Sequence, residues 1–346
     1  MDSISARILD ANGNRAREAL RVLEDYARFG LNDAALSAQL KTMRHTFGAA
    51  LAALGASDAL LARDTPGDVG TQIKTPQELV RESLADVVIA AGKRLSESLR
   101  VLEELAKATH PTVARDLERL RYEGYAVEKT LTTIVRQSGR CADVRLYVLL
   151  TEELCRGPWV ETLDAVLAGG AQCVQLREKR LEDRELLRRA EILVEKCSAA
   201  GALAIVNDRP DIALVARAHG VHLGQTDLPC AAVRRLVGHD MIVGVSTENL
   251  AQACAAVRDG ATYVGVGPMF PTTTKEKPRL AGPAYAREAI AALPLPCVAI
   301  GGITALNVGQ LTAEGVRCIA VCAAVISDAD PAGRCRELRR QLDTAQ

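Results

Sequence analysis

The sequence predicts two domains of different class: an all-α domain over residues 1–138 and a (β/α)8 TIM barrel, an α/β fold, over residues 144–346. The barrel is predicted because strand-like apolar runs alternate after residue 144 with segments of helical periodicity. The first domain is predicted to be all-α because helical periodicity continues there without a convincing buried strand. A length of 346 residues also favours two domains.

The predicted strands are apolar runs bounded by Gly, Pro, Asn or Asp, and they lack the alternation of half-exposed strands. Helical segments lie between them, such as residues 183–199 and 250–257. Eight buried strands are the number that closes a barrel of this class. The runs cover residues 146–150, 173–176, 203–206, 221–223, 241–245, 263–266, 297–300 and 318–321.

Composition excludes several classes of protein. The 43 basic and 43 acidic side chains leave no net charge, so we expect no general binding to nucleic acid. No apolar window approaches the length of a membrane span, and Asp2, Arg7 and Asp10 do not suit a secretory leader. We therefore expect a cytoplasmic protein that binds no membrane. The sequence leaves open whether the chain forms a homo-oligomer.

All ten cysteines lie at or after Cys141, and no two of them form a C-x-x-C pair. Cys173, Cys297 and Cys318 fall inside predicted strands, where a thiol serves as a small apolar side chain. We interpret the cysteines as reduced core residues, because a zinc or redox site would need ligand spacing that the sequence lacks.

Cationic residues follow the second predicted strand. Arg177 and Lys179 are two positions apart, so both can point to the same rim of the barrel, with Gln175 on the same side. Two cations and an amide suit a diphosphate group. Taken alone, a solvated charge run at the start of a loop would explain these residues better.

Two carboxylates follow the third and fourth strands, which are neighbours in a sequentially wound barrel. Asp208 and Asp227 would together provide the one or two protein carboxylates that Mg²⁺ usually takes, with phosphate and water as its remaining ligands. Taken alone, Asn207 and Asp208 fit an Asx turn or helix cap, and Asp227 fits a helix start. Lys275, after the sixth strand, adds another cation.

A second anion site is predicted where strands seven and eight end. Gly301-Gly302 and Cys322-Ala323 stand where barrels of this class bind a monophosphate with loop amides. A bare Gly-Gly is more often a turn, so the prediction depends on its register with the eight strands. The rim therefore predicts two small phosphorylated substrates.

In this order and spacing, the segments QLREK, ND, GQTD, GVST, PTTTK and IGGI resemble the thiamine phosphate synthase (thiamine-phosphate pyrophosphorylase) family over residues 144–340. The resemblance implies a transferase that joins hydroxymethylpyrimidine diphosphate to hydroxyethylthiazole phosphate and releases diphosphate, with Mg²⁺ as cofactor. It implies a dissociative substitution, in which the diphosphate leaves before the thiazole nitrogen bonds to the pyrimidine methylene. No general base is needed, so His219 and His222 are interpreted as packing residues.

The resemblance also implies residue roles. Asp208 and Asp227 would ligate Mg²⁺, and Arg177, Lys179 and Lys275 would be catalytic by neutralising charge on the leaving diphosphate. The family usually has Val-Ser where this chain has Cys322-Ala323, which predicts weaker binding of the thiazole phosphate. The predicted substrate-binding residues are Gln175, Leu176, Arg177, Glu178, Lys179, Asn207, Ser246, Thr272, Thr273, Thr274, Lys275, Gly302, Cys322 and Ala323.

The N-terminal domain contains an internal repeat, in which residues 11–28 return as residues 90–107. Charges recur every three residues while leucines form the opposite stripe, which predicts two amphipathic helices that pack as pseudo-symmetric partners. A short polar linker is predicted at residues 137–143. The charged positions shared by the two copies are Arg15/Arg94, Glu18/Glu97, Arg21/Arg100 and Glu24/Glu103.

Residues 63–71 combine an arginine, carboxylates, glycines and hydroxyls, so Arg63, Asp64 and Asp68 are candidate phosphate or Mg²⁺ contacts. A capped, glycine-rich turn would explain them equally well. The region resembles a domain fused to thiamine phosphate synthases, for which a hydroxymethylpyrimidine phosphate kinase role has been proposed, although no P-loop signature is present. The alternatives are a thiazole phosphate tautomerase-like barrel and a structural or regulatory N-terminal module.

Overall fold

A computed structural model describes residues 1–31, 33–69, 81, 83–272 and 280–344. The chain divides into two compact units, Met1–Val135 and Arg136–Gln346. The division falls within one helix, Pro111–Ala142, so residues 137–142 of the predicted linker are helical. The Cys141 side chain near the end of this helix is buried against residues of the barrel unit.

The described part of the first unit contains helices and turns and no strand, as predicted. Helix α1 continues into a π-helical turn at Tyr26–Gly30, and a 3-10 turn at Leu60–Ala62 follows α3. The side chains of Asp2, Asp33 and Ser83 accept backbone hydrogen bonds at the starts of α1, α2 and α4, which satisfies amides that lack a helical partner. The helices are α1 Ser3–Asp25, α2 Ala34–Ala53, α3 Ala56–Ala59, α4 Leu84–Lys107 and α5 Pro111–Ala142.

The internal repeat lies on α1 and α4, which pack against each other. Equivalent leucines of the two copies, Leu20 with Leu99 and Leu23 with Leu102, are buried in one apolar core. The prediction of two amphipathic, pseudo-symmetric helices is therefore confirmed.

The repeat also includes an ion pair to the following helix in each copy. Glu24 on α1 contacts Arg44 on α2 at 2.8 Å, and Glu103 on α4 contacts Arg121 on α5 at 2.7 Å. Burial of Glu103 raises its carboxyl pKa, but hydrogen bonds from Lys107 and Arg121 outweigh this effect, so the pKa lies below its usual value. The ionised Glu103 thus joins α4 to α5 inside the unit.

The loop after the 3-10 turn is held by α1 and by its own backbone. Arg63 Nε and Nη2 each donate to the Asp10 carboxylate at 2.7 Å. An oxygen of Asp64 accepts a hydrogen bond from the Gly67 backbone N–H at 3.0 Å, as in a capped turn. Gly70 and Thr71 of the predicted segment lie outside the described residues.

The second unit is a closed barrel of eight parallel strands in sequential order, which confirms the predicted fold class. Five strands have the predicted bounds. The third and fourth strands differ from the predicted bounds by one residue at one end, and the fifth differs at both ends. The strands are β1 Leu146–Leu150, β2 Cys173–Leu176, β3 Leu203–Asn207, β4 Gly220–Leu223, β5 Ile242–Thr247, β6 Tyr263–Val266, β7 Cys297–Ile300 and β8 Cys318–Val321.

Helices surround the barrel. Helix α7 has the bounds that its apolar spacing predicts, and α10 ends one residue later than predicted. The helices of this unit are α6 Trp159–Ala168, α7 Asp183–Ala199, α8 Pro210–Val215, α9 Cys230–Val237, α10 Leu250–Arg258, α11 Gly282–Ala292, α12 Val308–Thr312, α13 Ala323–Ile326 and α14 Pro331–Asp343.

Strand residues alternate between two apolar cores. Along β2, Val174 and Leu176 belong to the core shared with the surrounding helices, whereas Cys173 belongs to the barrel interior. Cys141 and Val144 pack on the interior residues at the amino-terminal end of the strands. All ten cysteines are free thiols, six buried and four half-buried.

Among the described residues, no single helix has the length and apolar composition of a membrane span. Helix Ala34–Ala53 and the segment Ala56–Ala62 reach these criteria only when taken together, and a bend of 74° separates them.

Replacement of Glu103 tests the buried ion pair. The variant Glu103→Gln leaves the buried Arg121 guanidinium without its carboxylate, so we expect a loss of about 3 kcal/mol of stability in the helical unit. Glu104→Gln is the matched control, because the Glu104 side chain is 51% exposed and its ion pairs contribute under about 1 kcal/mol. Amide hydrogen exchange of α4 and α5 measures the stability of both variants. Equal losses of stability would contradict the buried ion pair.

Candidate active site

A cavity of about 560 Å³ opens at the carboxyl ends of the strands and is lined by residues from all eight of them. It brings together residues that are far apart in sequence, because parallel strands present their carboxyl ends on one rim. The predicted site residues that line it are Gln175, Arg177, Lys179, Asn207, Asp208, Asp227, Ser246, Thr272, Gly302, Cys322 and Ala323.

Two predicted substrate-binding residues lie elsewhere. Leu176 is 1% exposed and packs outward against the helices, because it alternates with Gln175 along β2. Glu178 accepts a hydrogen bond from the Glu152 backbone N–H at 2.7 Å, and its oxygen lies 3.7 Å from Arg189. Neither residue lines the cavity. Thr273, Thr274 and Lys275 lie outside the described residues.

Asp208 and Asp227 meet beside Lys179 at the rim. Burial and the neighbouring carboxylate of Asp227 raise the pKa of Asp208, while Lys179, 3.5 Å away, opposes the shift. Asp208 has a φ of +62°, and its backbone N–H donates to the His222 carbonyl at 2.8 Å. Asp227 accepts from the Gly224 N–H at 2.6 Å. The backbone of Asp208 and the carboxylate of Asp227 are therefore each held by a hydrogen bond to the main chain at or just after β4.

This carboxylate pair fits a magnesium ion. Two neighbouring carboxylates disfavour each other's ionisation, and a divalent cation between them reduces this repulsion. Mg²⁺ needs only one or two protein carboxylates and takes water and phosphate oxygens besides. The structure brings no group of three or more His, Cys, Asp or Glu into a metal-binding arrangement among its described residues. Asp208 and Asp227 are thus the candidate ligands.

Arg177 lines the same cavity directly after the end of β2. Its backbone is fixed on both sides, because its N–H donates to the Leu150 carbonyl at 2.8 Å and its own carbonyl accepts from Thr151 Oγ1 at 2.9 Å. Burial raises the pKa of the Cys322 thiol to about 11, and the Arg177 charge partly offsets this rise. The thiol therefore stays protonated at neutral pH, near a cation that is available to an anion.

The β7 and β8 ends form an amide-lined side of the cavity. Gly301 and Gly302 have φ values of +103° and +64°, which favour glycine. A Cβ on Gly302 would collide with the carbonyl oxygens of Phe270 and Pro271, so the close approach also requires glycine. Asn307 Nδ2 donates to the Gly302 carbonyl at 2.9 Å and fixes this turn.

The interior of the barrel contains a chain of hydrogen bonds that the sequence analysis missed. It runs from Gln175 Nε2 to Tyr147 (2.7 Å), from Tyr147 to Tyr263 (3.0 Å), from Tyr263 to His222 Nδ1 (2.8 Å), and from His222 Nε2 to Ser246 Oγ (2.8 Å). All five residues line the cavity. The interpretation of His222 as a packing residue was therefore incomplete. His219 does have a structural contact, since its Nδ1 accepts from the Ala204 N–H at 2.9 Å.

This chain of hydrogen bonds has a preferred direction. Burial raises the pKa of Tyr147 and of Tyr263 well above the ordinary value, so both hydroxyls keep their protons. Gln175 Nε2 can only donate a hydrogen bond, so Tyr147 accepts from it. If Tyr147 then donates to Tyr263, and Tyr263 donates to His222 Nδ1, each buried hydroxyl proton has an acceptor. His222 becomes the tautomer with a protonated Nε2 that donates to Ser246. The Ser246 hydroxyl is left to donate its own proton into the cavity.

Comparisons with known proteins agree with this geometry. The sequence model described as "Thiamine monophosphate synthase" matches residues 146–325, and the one described as "ThiD2 family" matches residues 7–130. Proteins named thiamine-phosphate synthase from Synechocystis sp. and Thermosynechococcus vestitus are 40% and 41% identical to this chain, over 97% and 98% of its length and 96% and 95% of theirs.

A solved structure resembles the barrel unit. Thiamine phosphate pyrophosphorylase from Pyrococcus furiosus is 33% identical with a TM-score of 0.56, and the match covers 59% of this chain and 98% of that one. A barrel without the helical unit therefore makes up nearly the whole of that solved chain.

The direction of the interior hydrogen-bond chain can be tested by replacing Tyr263. We expect ¹⁵N NMR of the imidazoles to show an unprotonated Nδ1 and a protonated Nε2 at His222, and Tyr263→Phe to abolish this preference because Nδ1 loses its donor. Tyr285→Phe is the control, since the Tyr285 hydroxyl contacts Thr247 and Asn249 at 2.6 and 2.9 Å instead. A protonated Nδ1 in the unsubstituted protein would reverse the assignment.

Proposed function

The chain belongs to the thiamine-phosphate synthase family, and on this premise we propose how its barrel joins hydroxymethylpyrimidine diphosphate to hydroxyethylthiazole phosphate. The observation that carries the proposal is a single cavity with a carboxylate–cation side and an amide-lined side. The first side suits a diphosphate and the second a monophosphate. The proteins named thiamine-phosphate synthase that match nearly the full chain do not favour a tautomerase-like barrel.

The diphosphate end of the pyrimidine substrate would lie between Arg177, Lys179 and the Asp208–Asp227 pair. Bound Mg²⁺ would supply positive charge to the diphosphate oxygens at this place. Arg177 and Lys179 would donate hydrogen bonds to the same group, and these bonds strengthen as negative charge develops on the leaving diphosphate. Asn207 lies at the end of β3, lines the same cavity and would contact the same substrate.

The pyrimidine ring would lie over the interior hydrogen-bond chain, with the Ser246 hydroxyl donating to a ring nitrogen. His222 then acts as a positioning residue, because it reaches the substrate through Ser246. No group is required to remove a proton, since the thiazole nitrogen supplies the electron pair for the new bond. The protein's task is to hold this nitrogen in line with the bond that breaks.

The thiazole phosphate would take its hydrogen bonds from the amides at Gly302, Cys322 and Ala323, with Thr272 beside them. Ala323 adds no hydroxyl here, so the backbone carries the binding. The magnesium ion, the cytoplasmic location and the roles of Thr273, Thr274 and Lys275 stay predictions. The oligomeric state stays open.

The helical unit would act before the barrel. We infer that it transfers the terminal phosphoryl group of ATP to hydroxymethylpyrimidine monophosphate, which yields the diphosphate that the barrel consumes. The match to the "ThiD2 family" over residues 7–130 and the resemblance stated above support this assignment. The alternative is a structural or regulatory module.

Removal of either rim carboxylate tests the barrel site. Asp208→Ala and Asp227→Ala should each lower condensation of the two phosphorylated precursors by at least about tenfold at limiting Mg²⁺, since even changes behind a metal ligand cost that much. Asp211→Ala is the control, because Asp211 pairs with Arg209 outside the cavity. Near-normal thiamine phosphate formation by both variants would contradict the metal site.

The division of labour is tested by a truncated chain of residues 136–346, which retains Cys141 in the barrel core. We expect it to make thiamine phosphate from the pyrimidine diphosphate and the thiazole phosphate. Given the pyrimidine monophosphate, ATP, Mg²⁺ and the thiazole phosphate, only the full-length chain should form the product. If neither protein uses the monophosphate while both use the diphosphate, the kinase role is wrong.

A further inference from the structure

A second cavity lies in the helical unit between α1 and α2. Its volume is about 350 Å³, which is in the range of small-molecule sites. The lining residues are Arg17, Arg21, Arg44, His45, Phe47 and Gly48. Three guanidinium groups and an imidazole therefore surround one space, which we call the α1–α2 cavity.

Positive charge in the α1–α2 cavity is only partly compensated. Arg44 is paired with Glu24 at 2.8 Å. Arg17 donates to the side-chain oxygen of Asn14 at 3.3 Å, and neither Arg17 nor Arg21 forms a salt bridge within the described part of the chain. Planar guanidinium groups donate paired hydrogen bonds that match the oxygens of a phosphate.

The internal repeat provides a comparison within the same molecule. Arg100 on α4 is the equivalent of Arg21, and it is neutralised by Glu103 at 2.9 Å and by Glu104 at 2.8 Å. The Glu24–Arg44 pair of the first copy corresponds to the Glu103–Arg121 pair of the second. In the second copy, the arginine of the motif is thus held in salt bridges within its own helix. In the first copy, Arg21 acts on Glu24 through its charge but forms no salt bridge among the described residues.

Two partly exposed tyrosines lie at the corresponding place in the second copy. In the register that aligns Arg44 with Arg121, His45 corresponds to Tyr122 and Gly48 to Tyr125. The Arg121 guanidinium lies 4.7 Å from the Tyr122 ring centroid and 5.6 Å from that of Tyr125. At Gly48, by contrast, an added Cβ would meet no atom within 4 Å. Gly48 therefore leaves the α1–α2 cavity open at the position where Tyr125 contacts Arg121 in the second copy.

We propose that the α1–α2 cavity binds the phosphate group of a small phosphorylated molecule through Arg17, Arg21 and Arg44. The site is separate from the barrel and does not depend on the residue roles proposed there. The ligand is either free phosphate or a phosphate monoester, and both would present the same oxygens to the arginines.

His45 provides a local reporter of binding. The full-length chain has five histidines, and the His45→Gln variant assigns the ¹⁵N resonance of His45. Titration with inorganic phosphate at constant ionic strength and pH should shift this resonance saturably, and a chloride titration should not. The barrel also has anion sites, but His45 does not line that cavity, so its signal reports on the helical unit.

Two variants should weaken phosphate binding in different ways. Arg21→Gln removes a charged donor and should weaken phosphate binding by at least about tenfold. Gly48→Tyr copies Tyr125 of the second copy, keeps every cation, and should abolish the saturable shift by filling the space. Arg100→Gln changes the equivalent arginine of the second copy and should leave phosphate binding unchanged. Both Gly48→Tyr and Arg21→Gln should make thiamine phosphate normally from the two final precursors.

Hydroxymethylpyrimidine monophosphate in a parallel titration distinguishes the two sources of the phosphate group. Tighter binding than that of inorganic phosphate identifies a monoester site, and equal binding identifies a free-anion site. The absence of a saturable His45 shift with both ligands would overturn the proposal. So would a shift that persists unchanged in Arg21→Gln and Gly48→Tyr, provided that amide hydrogen exchange shows both variants to be folded.

Discussion

Closure of eight parallel strands into one ring is the constraint on which the whole substrate cavity depends. The ring presents all carboxyl ends on one rim, so a cation after β2, carboxylates after β3 and β4, and amides after β7 and β8 face the same space. Strand alternation then decides each neighbour's role. Arg177 lines the cavity, while the adjacent Glu178 is directed to Arg189 on α7 and holds the β1 and β2 loops together.

The interior of the barrel carries polar groups that most barrels of this class fill with branched apolar residues. Tyr147, Tyr263 and His222 are tolerated there because each hydroxyl and ring nitrogen has a partner in one continuous chain. The same chain ends at Ser246 on the substrate side. The hydrogen bonds that satisfy the buried polar groups therefore also orient the Ser246 hydroxyl at the cavity.

The helical unit shows how one motif can serve two purposes. In the second copy, Glu103 is fully buried and binds Arg121, Arg100 and Lys107, so its charges hold α4 and α5 together. In the first copy, the equivalent Glu24 and Arg44 are partly exposed beside an open space. In the register of the two copies, Gly48 on the following helix stands in place of Tyr125.

The sequence by itself determined the order of the strands and the bounds of five of them, because buried parallel strands are continuous apolar runs ended by turn residues, and both signals are local. It also indicated which residues lie on the rim, since these follow the strand ends directly. Only the tertiary structure separated Arg21 from Arg100, which share one motif, and assigned Tyr147, Tyr263 and His222 to the cavity. Tyr147, Tyr263 and His222 are strand residues whose partners come from other strands, so their environment is set when the barrel closes. Arg21 and Arg100 have acidic residues at the same spacing within their own helices, so local spacing does not show which of the two forms salt bridges.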